Sequence, residues 1–226
     1  MTMHHHTIAV TLGLDPDGGP VIWDARRNLV IVGNAGQGKT VLVRQVIEQL
    51  PQHADVIVLD PLERVERIGP LSRPVEAVHD HDAMTAALRA LAASPCPGRE
   101  SERFLVVDDG STLQYRNPEA VEVLRDLVML AGAFGVRTVL STQRLDGFAP
   151  TAPEQWLDEA FPDRIVLGSS RYDMPALVGV PAMPNRPLYG VARFELEQPR
   201  HVRLVDTRAS LFACKQSEAE VVDGDL

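Results

Sequence analysis

Residues 33–40 read Gly-Asn-Ala-Gly-Gln-Gly-Lys-Thr, an order of residue types suited to holding phosphate. The pattern is a glycine, four residues, then Gly38-Lys39-Thr40. Glycines at 33, 36 and 38 let successive backbone N–H groups turn inward around an anion, and Lys39 adds a full positive charge. Thr40 offers a hydroxyl to Mg²⁺. An apolar run before the turn and an apolar-periodic segment after it place the turn between a strand and the positive end of a helix. A glycine-rich turn with no ligand would not need both on those sides. The candidate phosphate-binding residues are therefore Gly33, Asn34, Ala35, Gly36, Gln37, Gly38, Lys39, Thr40 and Val41. The spacing of Gly33, Gly36 and Gly38 is G-x-x-G-x-G, which does not fit the dinucleotide fingerprint.

A second stretch, "RFLVVDDGSTL", is an apolar strand ending in two acids. Asp108 is the expected Mg²⁺ partner of Thr40, and Asp109 is expected to orient or deprotonate the attacking water. A third, "GVRTVLSTQR", ends another buried strand in polar residues, and the Gln143 amide would sit between that phosphate and the water. The catalytic set is thus Lys39, Asp109 and Gln143, and the metal set, for Mg²⁺, is Thr40 and Asp108; the phosphate loop alone does not separate kinases, GTPases and motors. His79, Asp80, His81 and Asp82 could serve a metal by alternation, but an acid at 80 or 82 capping a helix that begins near Ala83 is the better account. Trp23 and Trp156 are read as packing residues in preference to bases' stacking partners. His4 to His6 carry little weight as a metal site.

The elements that must position these residues are visible as an alternation. "NLVIVG", "ADVIVLD", "RFLVVDD", "VRTVLST" and "DRIVLGS" are strand-like, and helix-like segments lie between them. That order predicts a mostly parallel sheet with helices on both faces. After Asn117, Val121, Leu124, Val128 and Ala131 share one helix face, with Pro118 suited to the first turn. Residues 1–27 read as an N-terminal hairpin around Asp15-Pro16-Asp17-Gly18-Gly19, on the sheet edge or as a lid beside the nucleotide. Residues 28–208 form the core with a C-terminal strand pair, and 209–226 an acidic tail. At 226 residues and 45% hydrophobic composition, a single ordinary core is expected. Cys96 and Cys214 have no metal-ligand spacing and read as separate thiols. No apolar run reaches the length of a membrane span, which with the absence of a secretory pattern implies a cytoplasmic chain that partners would bring to a membrane. The net charge of −9 argues against bulk electrostatic attachment to nucleic acid.

With these residues in place, the chain resembles the FtsK/SpoIIIE superfamily of RecA-like P-loop ATPase motors, which includes DNA translocases, conjugative transfer proteins and the EccC-type ATPases of type VII secretion. The resemblance runs from about Gly13 to about Val205. Beyond the phosphate loop it rests on Asp60-Pro61 in "VIVLDPLERVE", on Thr142-Gln143-Arg144, and on Arg164, Ser169, Ser170, Asp173 and Gly179 in "FPDRIVLGSSRYDMPALVG". It implies an α/β RecA-like P-loop fold with small N- and C-terminal β additions, and ATP with Mg²⁺ as its small molecules. It also implies a homo-oligomer, a hexameric ring among its forms, or a larger motor assembly moving duplex DNA. A secreted protein's signal segment is the alternative cargo, and a weakly hydrolysing regulatory subunit the other alternative. The family's translocases usually carry Asp-Glu where this chain has Asp108-Asp109, which implies slower water activation. The span from Leu91 to Arg103 is short for the family. No winged-helix segment or membrane anchor is present in these residues, so partners are expected. An arginine from a neighbouring subunit usually completes such a site, and Arg116, Arg137 and Arg171 are sources to weigh. "SSRYD" also fits a capping box, so its likeness has a local explanation.

Overall fold

The computed structural model describes residues 8–94, 102–130, 135–148, 153–168, 177–180, 186–195 and 197–204. The predicted acidic tail, His4 to His6, both cysteines, Ser169, Ser170, Arg171 and Asp173 lie outside the described residues.

Six strands run parallel because each returns to the same end of the sheet through a crossover: β3 (Leu29–Gly33), β4 (Asp55–Leu59), β5 (Glu76–Val78), β6 (Arg103–Val107), β7 (Val136–Thr142) and β8 (Asp163–Leu167). Their order is β8-β3-β7-β6-β4-β5, which puts β3 between β8 and β7. The phosphate-loop strand is therefore flanked on both sides. Four more strands extend the same sheet beyond β8 in antiparallel pairing: β9 (Tyr189–Phe194), β10 (Arg200–Arg203), β1 (Ala9–Leu14) and β2 (Pro20–Asp24). The fold is the expected RecA-like α/β arrangement.

Alternation along β3 sends its side chains to two separate cores. Val30 and Val32 face α3 (His81–Ala93), α5 (Pro118–Met129) and α6 (Pro153–Ala160) through Met84, Leu88, Leu124, Leu127 and Leu157. Leu29 and Ile31 face α1 (Lys39–Gln49) through Leu42, Val43 and Val46, and Trp23 of the hairpin joins that side. Both faces are dry, which is why the strands carry continuous apolar runs.

Helix starts follow local chemistry. Asn117 caps α5 by accepting from the Ala120 N–H at 3.0 Å, with Pro118 next in line. Asp80 caps α3 by accepting from Asp82 and Ala83, so that helix starts at His81, two residues before the predicted position. Of the predicted face on α5, Val121, Leu124 and Val128 are buried; Ala131 lies outside the described residues.

The N-terminal hairpin lies on the sheet edge through β10. Its turn is closed by the Asp15 carboxylate, which accepts from the N–H groups of Asp17 and Gly19. Its docking point is polar: Asp163 Oδ2, at the start of β8, accepts from Trp23 Nε1 at 3.0 Å and from Arg27 Nε at 2.8 Å, while Oδ1 accepts from the Glu195 N–H. Trp156 packs edge-on against Phe161, with ring centroids 5.7 Å apart. Both tryptophans therefore have packing partners, as expected.

Candidate phosphate and water-activating site

The loop between β3 and α1 opens into a cleft of about 390 Å³ lined by Ala35, Gly36, Gly38, Lys39, Thr40, Val41, Arg64, Pro187 and Leu188. Two of its glycines have left-handed backbones, Gly36 at φ 78° and Gly38 at φ 100°, a region side chains make costly. At Gly38 a Cβ would also meet Leu188 Cδ2 at 2.6 Å, so a side chain there would have to push that leucine aside. Gly33 answers a different need, because a Cβ there would stand 2.6 Å from the Leu167 carbonyl oxygen of the neighbouring strand. Lys39 is buried, and its Nζ donates to the carbonyls of Gly33 and Asn34 at 2.8 and 3.0 Å. Burial lowers its pKa, and the carboxylates of Asp109 and Asp108 pull against that.

Asp108, at the end of β6, meets the start of α1. Thr40 Oγ1 donates to Asp108 Oδ2 at 2.8 Å, and Ser141 Oγ in β7 donates to Oδ1 at 2.6 Å. Three elements thus fix one carboxylate. Its pKa is raised, chiefly by burial and further by the charges of Asp60 and Asp109, while the Ser141 and Thr40 hydrogen bonds oppose the shift. A hydroxyl and a carboxylate oxygen side by side are hard donors suited to Mg²⁺, and a carboxylate held at a cost by burial is one that a cation would relieve. The residues fit the metal.

Asp109 adopts φ 57°, an uncommon backbone for a residue with a side chain. It caps α4 (Gly110–Arg116) by accepting from the Thr112 N–H, and its Oδ2 pairs with Arg64 Nη1 at 3.0 Å. Arg64 owes its position to Asp60. The buried Asp60 carboxylate accepts from the N–H groups of Leu62 and Val65, at 3.3 and 2.7 Å, and so shapes the turn that starts α2 (Arg64–Arg67). The Asp60 carbonyl accepts from His79 Nδ1, which gives that histidine a partner within the protein. Asp60-Pro61, noted in the sequence only as a likeness, is here the support for a cleft residue.

Gln143 follows β7 and is half-buried; Ser111 Oγ, from α4, accepts from the backbone N–H groups of Gln143 and Arg144 and is hydrogen-bonded to Thr142 Oγ1. Gln143, like Asp108 and Asp109, is not among the residues lining the cleft. A hydrogen bond and charge interactions nonetheless bring Lys39, Thr40, Asp108 and Asp109 together, whereas Gln143 is tied through its backbone to Ser111. Arg116 closes α4, whereas Arg137 lies at the start of β7, at the end of the sheet away from the phosphate loop. Arg64, Ser141 and Leu188 were not singled out from sequence. Ser141 sits one residue before the polar group that was, and Leu188 follows Pro187. Arg64 carries no local signal.

The AAA domain family matches residues 24–146, a span that contains the phosphate loop and both aspartates. Curated proteins yield no match. Among solved structures, the cytoplasmic domain of the type VII secretion ATPase EccC from Thermomonospora curvata is similar at TM-score 0.70 and 19% identity, over 91% of this chain and 27% of that one. ATPases 2 and 3 of the same organism's EccC, in complex with a signal sequence peptide, are similar at 0.69 and 19%, over 91% and 42%. The pCW3 conjugation coupling protein TcpA, with ATPγS, is similar at 0.67 and 15%, over 89% and 67%. This chain thus spans about a quarter of the first and two-fifths of the second. At these identities the likeness is one of fold alone. Among the described residues no helix is long and apolar enough to cross a membrane.

Proposed function

Because this chain belongs to the AAA domain family of P-loop ATPases, we propose that it binds Mg-ATP in the cleft above α1 and hydrolyses it, as the motor module of an FtsK/SpoIIIE-type assembly acting on double-stranded DNA. The observation that carries the reading is the meeting of Thr40, Asp108 and Ser141 beside the buried Lys39. The phosphates would lie on the N–H groups of residues 33–41, with Lys39 supplying charge. Bound Mg²⁺ supplies neutralisation of charge on the phosphate oxygens, and Thr40 and Asp108 are the residues that would hold it. Asp109 takes a proton from water as the water oxygen bonds to the γ-phosphorus. The bond from that phosphorus to the bridging oxygen breaks, and ADP and phosphate leave. Gln143 positions the water. Closure of nucleotide-bearing interfaces between copies would move the polymer.

DNA as cargo is supported by the family resemblance and by the fold likeness to a conjugation coupling protein. A second reading, capture of a secreted protein's signal segment, is favoured by the fold likeness to EccC bound to such a peptide and by the net charge of −9. ATP turnover should be measured for the parent, Lys39→Ala and Asp109→Asn, with and without linear duplex DNA. The reading expects turnover that both substitutions suppress, and stimulation by DNA that fades as salt rises. Turnover no faster than Lys39→Ala under every condition sinks the ATPase reading. Stimulation by a helical signal peptide and not by DNA moves the cargo to the second reading.

A further inference from the structure

The geometry points to Arg64 as a terminal-phosphate ligand supplied from within the same chain, and to its ion pair with Asp109 as a contact that ATP must exchange. This rests on the nucleotide reading above and adds to it a residue that distinguishes ATP from ADP.

Three observations carry it. Arg64 lines the same cleft as Lys39 and Thr40. Its guanidinium donates to Asp109 Oδ2 at 3.0 Å, so it stands at the carboxylate assigned above to the attacking water. The pair is also unequal in freedom: the Arg64 side chain is 48% exposed and the Asp109 side chain 4%. Asp109 is further held by the Thr112 N–H, so the arginine is the partner able to move.

The neighbouring arginines are committed elsewhere. Arg44 is buried, and donates to the carbonyls of Val65, Gly69 and Pro70 and to Glu48. Arg67 pairs with Glu63. The turn that presents Arg64 is anchored at its base, where the Asp60 carboxylate accepts from the Val65 N–H. A short side-chain swing would therefore suffice. A γ-phosphate carries more charge than a carboxylate and accepts two parallel N–H bonds from a guanidinium, so it competes well for Arg64. The exchange does two things at once. It adds a cation to the transferring group, and it frees Asp109 Oδ2 to accept a proton from water. ADP, lacking the terminal group, leaves the ion pair intact.

The test is equilibrium binding of AMP-PNP and of ADP, each with Mg²⁺, to the parent, Arg64→Ala, Asp109→Asn and the double variant. Arg64→Ala should weaken AMP-PNP by about tenfold or more, the loss of a charge-assisted contact, and change ADP by less than about twofold. Asp109→Asn should strengthen AMP-PNP, because Arg64 no longer has to leave a carboxylate. It should lose that effect in the Arg64→Ala background. A merely structural Arg64 predicts equal losses for the two nucleotides and no gain from Asp109→Asn; that result overturns the assignment. If Arg64→Ala does not fold, Asp109→Asn alone decides, since an unchanged preference for AMP-PNP over ADP has the same force. A parent that binds neither nucleotide overturns the nucleotide reading as well, whereas binding with an unaltered ratio overturns only the role of Arg64.

Discussion

Asp108 is held ready for a cation at a cost to the protein. Its folded-state pKa lies above the ordinary Asp value of 3.8, so between these values the native chain binds a proton that the unfolded chain has released. Stability of the nucleotide-free protein should therefore fall as pH rises through that window. Asp108→Asn should abolish this part of the slope, because Asn keeps an acceptor for Ser141 and can donate to Thr40. The expected outcome is a melting temperature above the parent's at neutral pH without nucleotide, together with loss of Mg²⁺-dependent nucleotide affinity. Calorimetric scans across pH check the first and titration with and without Mg²⁺ the second. An unchanged pH slope would assign the acid response to other carboxylates. Lys39 bears a similar burden with the opposite charge: burial lowers its pKa, so the unfolded chain binds more protons in the window up to 10.5, and this group's contribution makes stability rise with pH there.

At the scale of elements, most of the architecture was legible because its strands are continuous apolar runs and its helices carry apolar faces, both local signals. The phosphate loop was legible for the same reason: Gly33 to Thr40 are contiguous. What escaped was non-local. Arg64 and Asp109 are 45 positions apart, and only the packing of α2 brings them together. The pairing of Leu14 with Arg203, which ties the hairpin to the sheet, has no trace in either segment. Asn117 illustrates how much a single cap can join: it starts α5 and donates to the His81 carbonyl and Thr85 Oγ1 of α3. Asn117→Ala should cost about 1–3 kcal/mol of stability in urea unfolding, with nucleotide affinity retained. Gly38→Ala should do the reverse in emphasis, since the Cβ collides with Leu188 at the cleft wall; nucleotide binding should be lost while the far side of the sheet stays protected in hydrogen exchange.

At the scale of the whole molecule, one sheet, of ten strands among the described residues, couples the hairpin at one side to the phosphate loop near its middle. Asp163 is the joint. Replacing it with Ala strands Trp23 Nε1 and removes one of the two carboxylates paired with Arg27, the other being Glu195. A loss of about 1–3 kcal/mol is expected, read as a lower urea midpoint with tryptophan fluorescence reporting the same transition. A midpoint within error of the parent would place the hairpin's anchoring in apolar contacts alone. The sheet's two outer margins have a separate consequence. β5 is three residues long, and β2 opens with Pro20, which has no N–H to offer a neighbour. Neither margin is a good template for another chain's strand. Copies meeting at these two margins would find little ladder to extend, so loop and helix surfaces are the better-suited contacts between copies, ones that can open and close without tearing a ladder of backbone hydrogen bonds.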